Sequence, residues 1–225
     1  MVRTATTLSY DEAETFYDRM GRRQDTQGFY EDIALDELVA HGRLEEAHDI
    51  LELGCGTGRL AERLLREVLP DDARYVGLDV SSTMLHIARE RLSPFGERAR
   101  VDKTEGSLAL PCPDGSFDRV VATYVADLLS NDDIDLFLSE SWRVLRPGGL
   151  FASAGLTRGE RLPSRLVSSL WSAVHRLSPR LVGGCRPVVL AERLDSARFR
   201  VVHRRVVTGF AIPSEVLVAE KRPST

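Results

Sequence analysis

Residues 49–58 read D-I-L-E-L-G-C-G-T-G, and this stretch decides the fold. Ile50, Leu51 and Leu53 form a short apolar run of the kind that becomes a parallel strand covered on both faces. Gly54, Cys55, Gly56, Thr57 and Gly58 follow as a tight turn. Leu60, Leu64, Leu65 and Val68 then recur at helical spacing and predict a helix over 59–69. Strand, glycine turn and helix make the first unit of a nucleotide-binding α/β sheet. A ligand lying against the main chain at a strand's carboxyl end needs positions free of side chains. A dinucleotide fingerprint, G-x-G-x-x-G, would require glycine at position 59. Here Arg59 occupies that position and the glycines stand at 54, 56 and 58.

A second stretch supports the first. Residues 74–79, R-Y-V-G-L-D, form another short apolar run that ends in a carboxylate about 20 residues after the glycine turn, where a ribose-binding acid belongs. A carboxylate can accept two hydrogen bonds from a ribose diol, so Asp79 suits that task. The plainer alternative is a helix-capping acid, because Ser81, Ser82 and a helix over 83–92 follow. Further along, residues 110–118 read L-P-C-P-D-G-S-F-D and residues 142–151 read W-R-V-L-R-P-G-G-L-F. Together with the G-x-G-x-G turn preceded by Glu52, these segments resemble class I S-adenosylmethionine (SAM) dependent methyltransferases. The likeness is to the small-molecule branch that includes ubiquinone/menaquinone-biosynthesis and phospholipid methyltransferases.

That resemblance implies an α/β fold, a Rossmann-like doubly wound, seven-stranded, mostly parallel sheet with a final antiparallel strand. Parallel strands are expected over 50–53, 74–79, 99–104, 120–125 and 150–154, then an antiparallel pair over 199–207 and 215–221. A short helix is expected near 189–197. The resemblance also implies SAM as cofactor and S-adenosylhomocysteine (SAH) as product. It points to Glu52, Gly54, Cys55, Gly56, Gly58, Asp79, Val80, Met84 and Tyr124 as cofactor-binding residues. The family's adenine-binding acid aligns with Gly106 or Ser107, neither of which is acidic, so the acid is missing or displaced to Glu105. Methyl transfer from a sulfonium is an in-line displacement that rests on alignment and exclusion of water, so no metal is required. A hydroxyl acceptor needs a base. Asp127, just past the strand over 120–125, is the first candidate, with His175 or Tyr17 behind it. For an amine or thiol acceptor Asp127 would orient the substrate. A helix or loop cap is the plain alternative for this residue.

Residues 1–48 read as a helical lid and 49–225 as the SAM-binding domain, with a helical insertion at about 157–184. Ser9 and Glu12 have capping-box spacing ahead of a helix over 10–20 that Gly21 ends. A polar connector over 22–28 leads to a helix over 29–40. Tyr17, Gln24, Asp25 and Tyr30 would line a substrate mouth, unless the aromatics merely dock the helices. Asn131 or Asp132 is expected to cap a helix whose apolar face is Ile134, Phe137, Leu138, Trp142, Val144 and Leu145. Residues 146–149, R-P-G-G, are expected to end it. Residues 161–182 carry Leu166, Val167, Leu170, Trp171, Val174 and Leu177 at helical spacing, with several arginines and no acid. Three readings compete for this segment: an amphipathic helix packed on the core, a cover for the substrate pocket, or a peripheral membrane-surface helix.

The 225 residues suit one sizeable domain. A formal net charge of −4 gives no support to a nucleic-acid partner. The start, M-V-R-T-A-T-T-L-S-Y-D-E, has no hydrophobic signal core, which predicts a cytoplasmic protein. Cys55, Cys112 and Cys185 are widely separated, which argues against a structural zinc site or a disulfide framework. The expected partner is a small-molecule acceptor, or a lipid or quinone at a membrane surface. A nicotinamide-dependent oxidoreductase is disfavoured by the absence of glycine at 59. A non-catalytic SAM-binding protein is disfavoured by the intact turn and Asp79. Nothing in the sequence fixes an oligomeric state.

Overall fold

A computed structural model describes residues 7–104, 108–196 and 198–223. Strands β1 (Asp49–Leu53), β2 (Arg74–Asp79), β3 (Ala99–Lys103), β4 (Phe117–Thr123), β5 (Leu145–Leu156), β6 (Phe199–Gly209) and β7 (Ile212–Lys221) form a seven-stranded sheet in the order β3-β2-β1-β4-β5-β7-β6. β1 to β5 pair in parallel, and β7 runs antiparallel to both β5 and β6. Helices α1 (Tyr10–Met20), α2 (Gly28–His41), α3 (Arg59–Glu67), α4 (Ser82–Leu92), α5 (Asn131–Val144) and α6 (Leu162–Leu177) complete the chain.

The alternation of side chains along the strands explains the layers. Ile50 and Val121 join one core with Leu35 and Leu38 of α2, Leu64 of α3 and Leu85 of α4. Leu51, Leu53, Val120 and Phe151 join the other with Ile134, Phe137 and Leu138 of α5. Strands buried on both faces carry apolar residues to both, as β1 does with Ile50 to one core and Leu51 and Leu53 to the other. The reversal of strand order between β1 and β4 places a crevice beyond their carboxyl ends. The front segment divides in its packing: α2 belongs to the sheet-covering layer, whereas α1 lies against α4.

Several boundaries differ from expectation. Ser130, not Asn131 or Asp132, caps α5: it is extended at φ −65°, ψ 167°, and its hydroxyl accepts the Asp133 N–H at 3.1 Å. β4 begins at Phe117 and stops at Thr123, because Tyr124 adopts φ +56° and turns the chain out of the sheet. The R-P-G-G segment lies within β5, where pairing with β4 jumps from Phe117↔Leu145 to Arg119↔Leu150. The 22–28 connector is largely a 3-10 turn (Gly21–Gln27), and the helix expected near 189–197 is a 3-10 turn over Leu190–Arg193. The orientation of α6 bears on the three readings of 161–182. Its buried residues are Ser164, Ser168 and His175, whereas Leu166, Leu170 and Leu177 are exposed. The helix is present with its apolar stripe facing outward.

Candidate active site

The glycine turn is built by backbone geometry. Gly54 sits at φ +70° and donates its N–H to the Leu78 carbonyl at 2.7 Å, which locks the turn to β2. A Cβ there would lie 2.3 Å from Val125 Cγ2. Gly56, at φ +52°, has nothing within 4 Å of a built Cβ, so the space above it is open. Gly58, at φ +74°, precedes α3 and packs close to Ala88. Asp79 ends β2 and braces the turn. Its Oδ2 accepts the Gly56 N–H at 2.8 Å and its Oδ1 accepts the Ser81 N–H at 2.9 Å. Burial pushes this carboxyl above its ordinary range, opposed by the surrounding backbone N–H groups. Ser81 caps α4 through Met84 N–H at 3.1 Å, and Asp18 of α1 accepts the Ser81 hydroxyl at 2.6 Å.

These groups surround a cavity of about 540 Å3 at the carboxyl ends of β1, β2 and β4. Among the residues expected to bind cofactor, Gly54, Gly56, Asp79, Val80, Met84 and Tyr124 line it. Gly58 does not; it serves the close packing of α3 on α4. Cys55 is buried and turned toward β2, with its Sγ 2.9 Å from where a Gly77 Cβ would stand. Glu52 is 2% exposed and also lies off the cavity; its Oε2 accepts the Tyr75 hydroxyl at 2.6 Å. Burial pushes the Glu52 carboxyl up to about 7. Gly106 and Ser107 lie outside the described residues.

Tyr17, Gln24 and Tyr30 of the front segment line the cavity as expected. Asp25 does not. It ties the front segment to the glycine turn, accepting the Thr57 hydroxyl at 2.6 Å and pairing with Arg91 at 2.6 Å. Tyr30 donates to Gln27 Oε1 at 3.2 Å, as does Gln24 Nε2 at 2.9 Å. Gln24 Oε1 is buried and has no partner among the described residues, which leaves an acceptor available to a ligand. Tyr124 is held at positive φ, with its hydroxyl 2.9 Å from Ser214 Oγ and its ring edge-on to Tyr30.

Asp127 is 1% exposed and does not line the cavity. It faces a separate interior gap bounded by Ser153, Gly155, Val188 and Glu215. Neither carboxylate oxygen makes a well-formed hydrogen bond among the described residues, and burial pushes this carboxyl up to about 7. Tyr17 stays a neutral phenol, because burial and nearby negative groups hold its pKa well above the ordinary value. His175 is buried on α6, with Nε2 3.1 Å from the Gly184 carbonyl, and does not reach the cavity. Cys185 does line it, whereas Cys112 does not; Gly183 and Gly184 both adopt positive φ, which returns the chain to the pocket. No Lys, Arg or His is among the described lining residues, which include Glu12, Asp79 and Asp133.

One further cluster bears on metal binding. Glu37, His41 and His203 bring ligand atoms within 4.8 Å of one another. The two imidazoles are stacked, with centroids 3.8 Å apart and planes 10° apart, so their in-plane lone pairs do not converge on one ion. Glu37 is instead paired with His203 at 2.9 Å and Arg205 at 2.9 Å.

Comparison with known proteins agrees with this geometry. Residues 50–149 match a methyltransferase domain family. A demethylmenaquinone methyltransferase of Symbiobacterium thermophilum is 34% identical over 117 residues, covering 51% of this chain and 45% of the relative. The chain thus spans less than half the length of that curated relative. Among solved structures, the [4+2]-cyclase SpnF superposes with a TM-score of 0.65 at 20% identity, covering 86% of this chain and 81% of the other. The N-methyltransferase NodS of Bradyrhizobium japonicum in complex with SAH gives 0.63 at 16% identity, covering 86% and 88%. Residues 50–149 thus carry a methyltransferase domain, and the glycine turn and the sheet order agree with the class I SAM-dependent methyltransferase fold.

Proposed function

We propose that the chain transfers the methyl group of SAM to a small acceptor that is neutral or cationic and largely apolar, releasing SAH. The observation that carries this reading is the cavity lining: a glycine turn and Asp79 at one end, tyrosines and acids elsewhere, and no described basic side chain. SAM supplies a methyl group on a sulfonium, which departs as a neutral thioether. The residues fit such a cofactor. Gly56 leaves the approach to the turn open, Asp79 keeps lone pairs for a ribose diol, and Gln24 Oε1 waits for a donor. Val80 and Met84 give an adenine ring an apolar wall.

An anionic acceptor would find no counter-charge here, and its desolvation would be uncompensated. Tyr17, as a neutral phenol, donates a hydrogen bond and does not remove a proton. Asp127 sits behind the wall and acts as a buried anchor for the 184–188 loop, its carbonyl accepting the Arg186 N–H at 2.9 Å. An acceptor already nucleophilic without an enzymic base, such as a free amine or the electron-rich ring of a neutral quinol, fits this lining. The menaquinone relative supports the quinol option. A lipid-borne acceptor at a membrane surface is the second reading, favoured by the exposed leucines of α6.

The test is SAH release from SAM with a panel of amines, thiols, phenols, quinols and carboxylic acids. Release with neutral or cationic members and none with carboxylic acids is expected. Release confined to carboxylic acids would overturn the assignment.

A further inference from the structure

The two faces of α6 have opposite duties. Its inner face is small and polar. Ser168 Oγ accepts the Gly159 N–H at 3.1 Å, Trp171 Nε1 donates to the Cys185 carbonyl at 2.9 Å, and His175 meets the Gly184 carbonyl. This face therefore holds the Gly184-Cys185 turn that closes the cavity. The outer face carries Leu162, Leu166, Leu170 and Leu177, which are 67–84% exposed, and Leu181 continues it at 73%. At ~100° per residue the four helical leucines fall within ~80° of one another, opposite the buried serines. A helix that merely covered a core would be turned the other way round.

The charge around the stripe is one-sided. Residues 161–182 contain no Asp or Glu. Arg161, Arg165 and Arg176 make no ion pair among the described residues, and Arg165 and Arg176 project along one flank of the leucines. The whole chain has a net charge of −4, so this cationic face is local. A second exposed apolar group stands on the same edge of the sheet. Phe210, 77% exposed, tips the β6–β7 hairpin beside the carboxyl end of β5 and stacks edge-on with Phe29 at 5.3 Å. Phe210 and Ala211 hold positive φ there without glycine, keeping an aromatic ring at an exposed turn.

We infer that the outer face of α6, with Phe210 as a second exposed apolar contact, docks on an anionic lipid surface and brings the cavity to the membrane. Leucines enter the acyl boundary, and the unpaired arginines meet lipid phosphates. Pairing of this face with a second copy is the competing arrangement; it would set like-charged arginines against each other without acids to offset them. The inference deepens the proposed methyl transfer by placing its acceptor in or on a bilayer, but the docking is read without turnover, so either can fail alone.

The experiment is co-sedimentation of the full chain with phosphatidylcholine vesicles, with and without phosphatidylglycerol, alongside light scattering without lipid. The expected result is binding to the anionic vesicles only, weakened by salt. Leu166→Ser with Leu170→Ser should lower partitioning about tenfold or more. Arg165→Gln with Arg176→Gln should reduce it and flatten its salt dependence. Calorimetric SAH binding should be unchanged in both variants, confirming that they fold. No partitioning into anionic vesicles, equal partitioning by the leucine variant, or a dimer in solution that the leucine variant splits into monomers would each overturn the inference.

Discussion

Replacing Asp79 with alanine should weaken SAH binding by about 10- to 150-fold. The figure follows from the geometry of the carboxylate. Each of its oxygens already accepts one backbone N–H, from Gly56 at 2.8 Å and from Ser81 at 2.9 Å. Each oxygen also has a second lone-pair site, and together these can accept a ribose diol. A hydrogen bond to a charged group contributes ~1.5–3 kcal/mol net, and water entering the enlarged site would replace part of it. A total loss of ~1.5–3 kcal/mol at ~1.4 kcal/mol per decade gives the stated range. Titration calorimetry with SAH reads it, with a thermal melt to confirm that the variant is folded. Because burial raises this carboxyl above its ordinary value, affinity should fall at a higher pH than an unshifted aspartate would give, as the acceptor oxygens are protonated. A folded Asp79→Ala variant with SAH affinity within about twofold of wild type would refute the ribose assignment.

Other expectations follow from neighbouring residues. Gly54→Ala forces a Cβ into Val125 at positive φ and should destabilise the fold by more than ~2 kcal/mol in denaturant titration. Gly56→Ala meets no protein atom within 4 Å, so it should cost only the ~1–2 kcal/mol of a left-handed alanine while losing most SAH binding in calorimetry. Asp127 has its folded pKa raised to about 7 from 3.8, so the native state holds the extra proton between those values, and its contribution to stability declines as pH rises through about 7. Asp127→Asn should therefore flatten that decline and raise the melting temperature at alkaline pH, with turnover changed by less than about tenfold. Asp25→Ala cuts the tie from the front segment to Thr57 and Arg91 and should speed SAH dissociation several-fold in stopped-flow measurements.

The parts legible in the sequence are those fixed by local backbone chemistry. The glycine turn, the carboxylate that ends β2 at Asp79 and the Ser9–Glu12 capping box each depend on residues a few positions apart, and each is present where the local sequence puts it. The seven-stranded, mostly parallel sheet followed from the resemblance and from runs too apolar for a one-faced sheet. What the pattern left open was rotation about an axis. A 3.6-residue period shows that α6 has an apolar stripe but not which neighbour it faces, and the inward duty went to serines and a histidine. The direction of Asp127 was open for a related reason. Tyr124, at φ +56°, redirects the chain so that Tyr124, Val125 and Leu128 line the cavity while Asp127 turns into the sheet. Glu52 was placed with the cofactor because it precedes the turn, but its strand position points it at Tyr75. The pocket-lining Cys185 depends on a tertiary return through two left-handed glycines, and spacing alone carries no measure of that.

The most direct test of the central claim is calorimetric titration of SAH into the wild-type chain, repeated with Gly56→Ala. Saturable binding at one site per chain is expected, lost or nearly lost in the folded Gly56→Ala variant. Absence of binding to the wild-type chain, or equal binding by the variant, would contradict a SAM site at the carboxyl ends of β1 and β2.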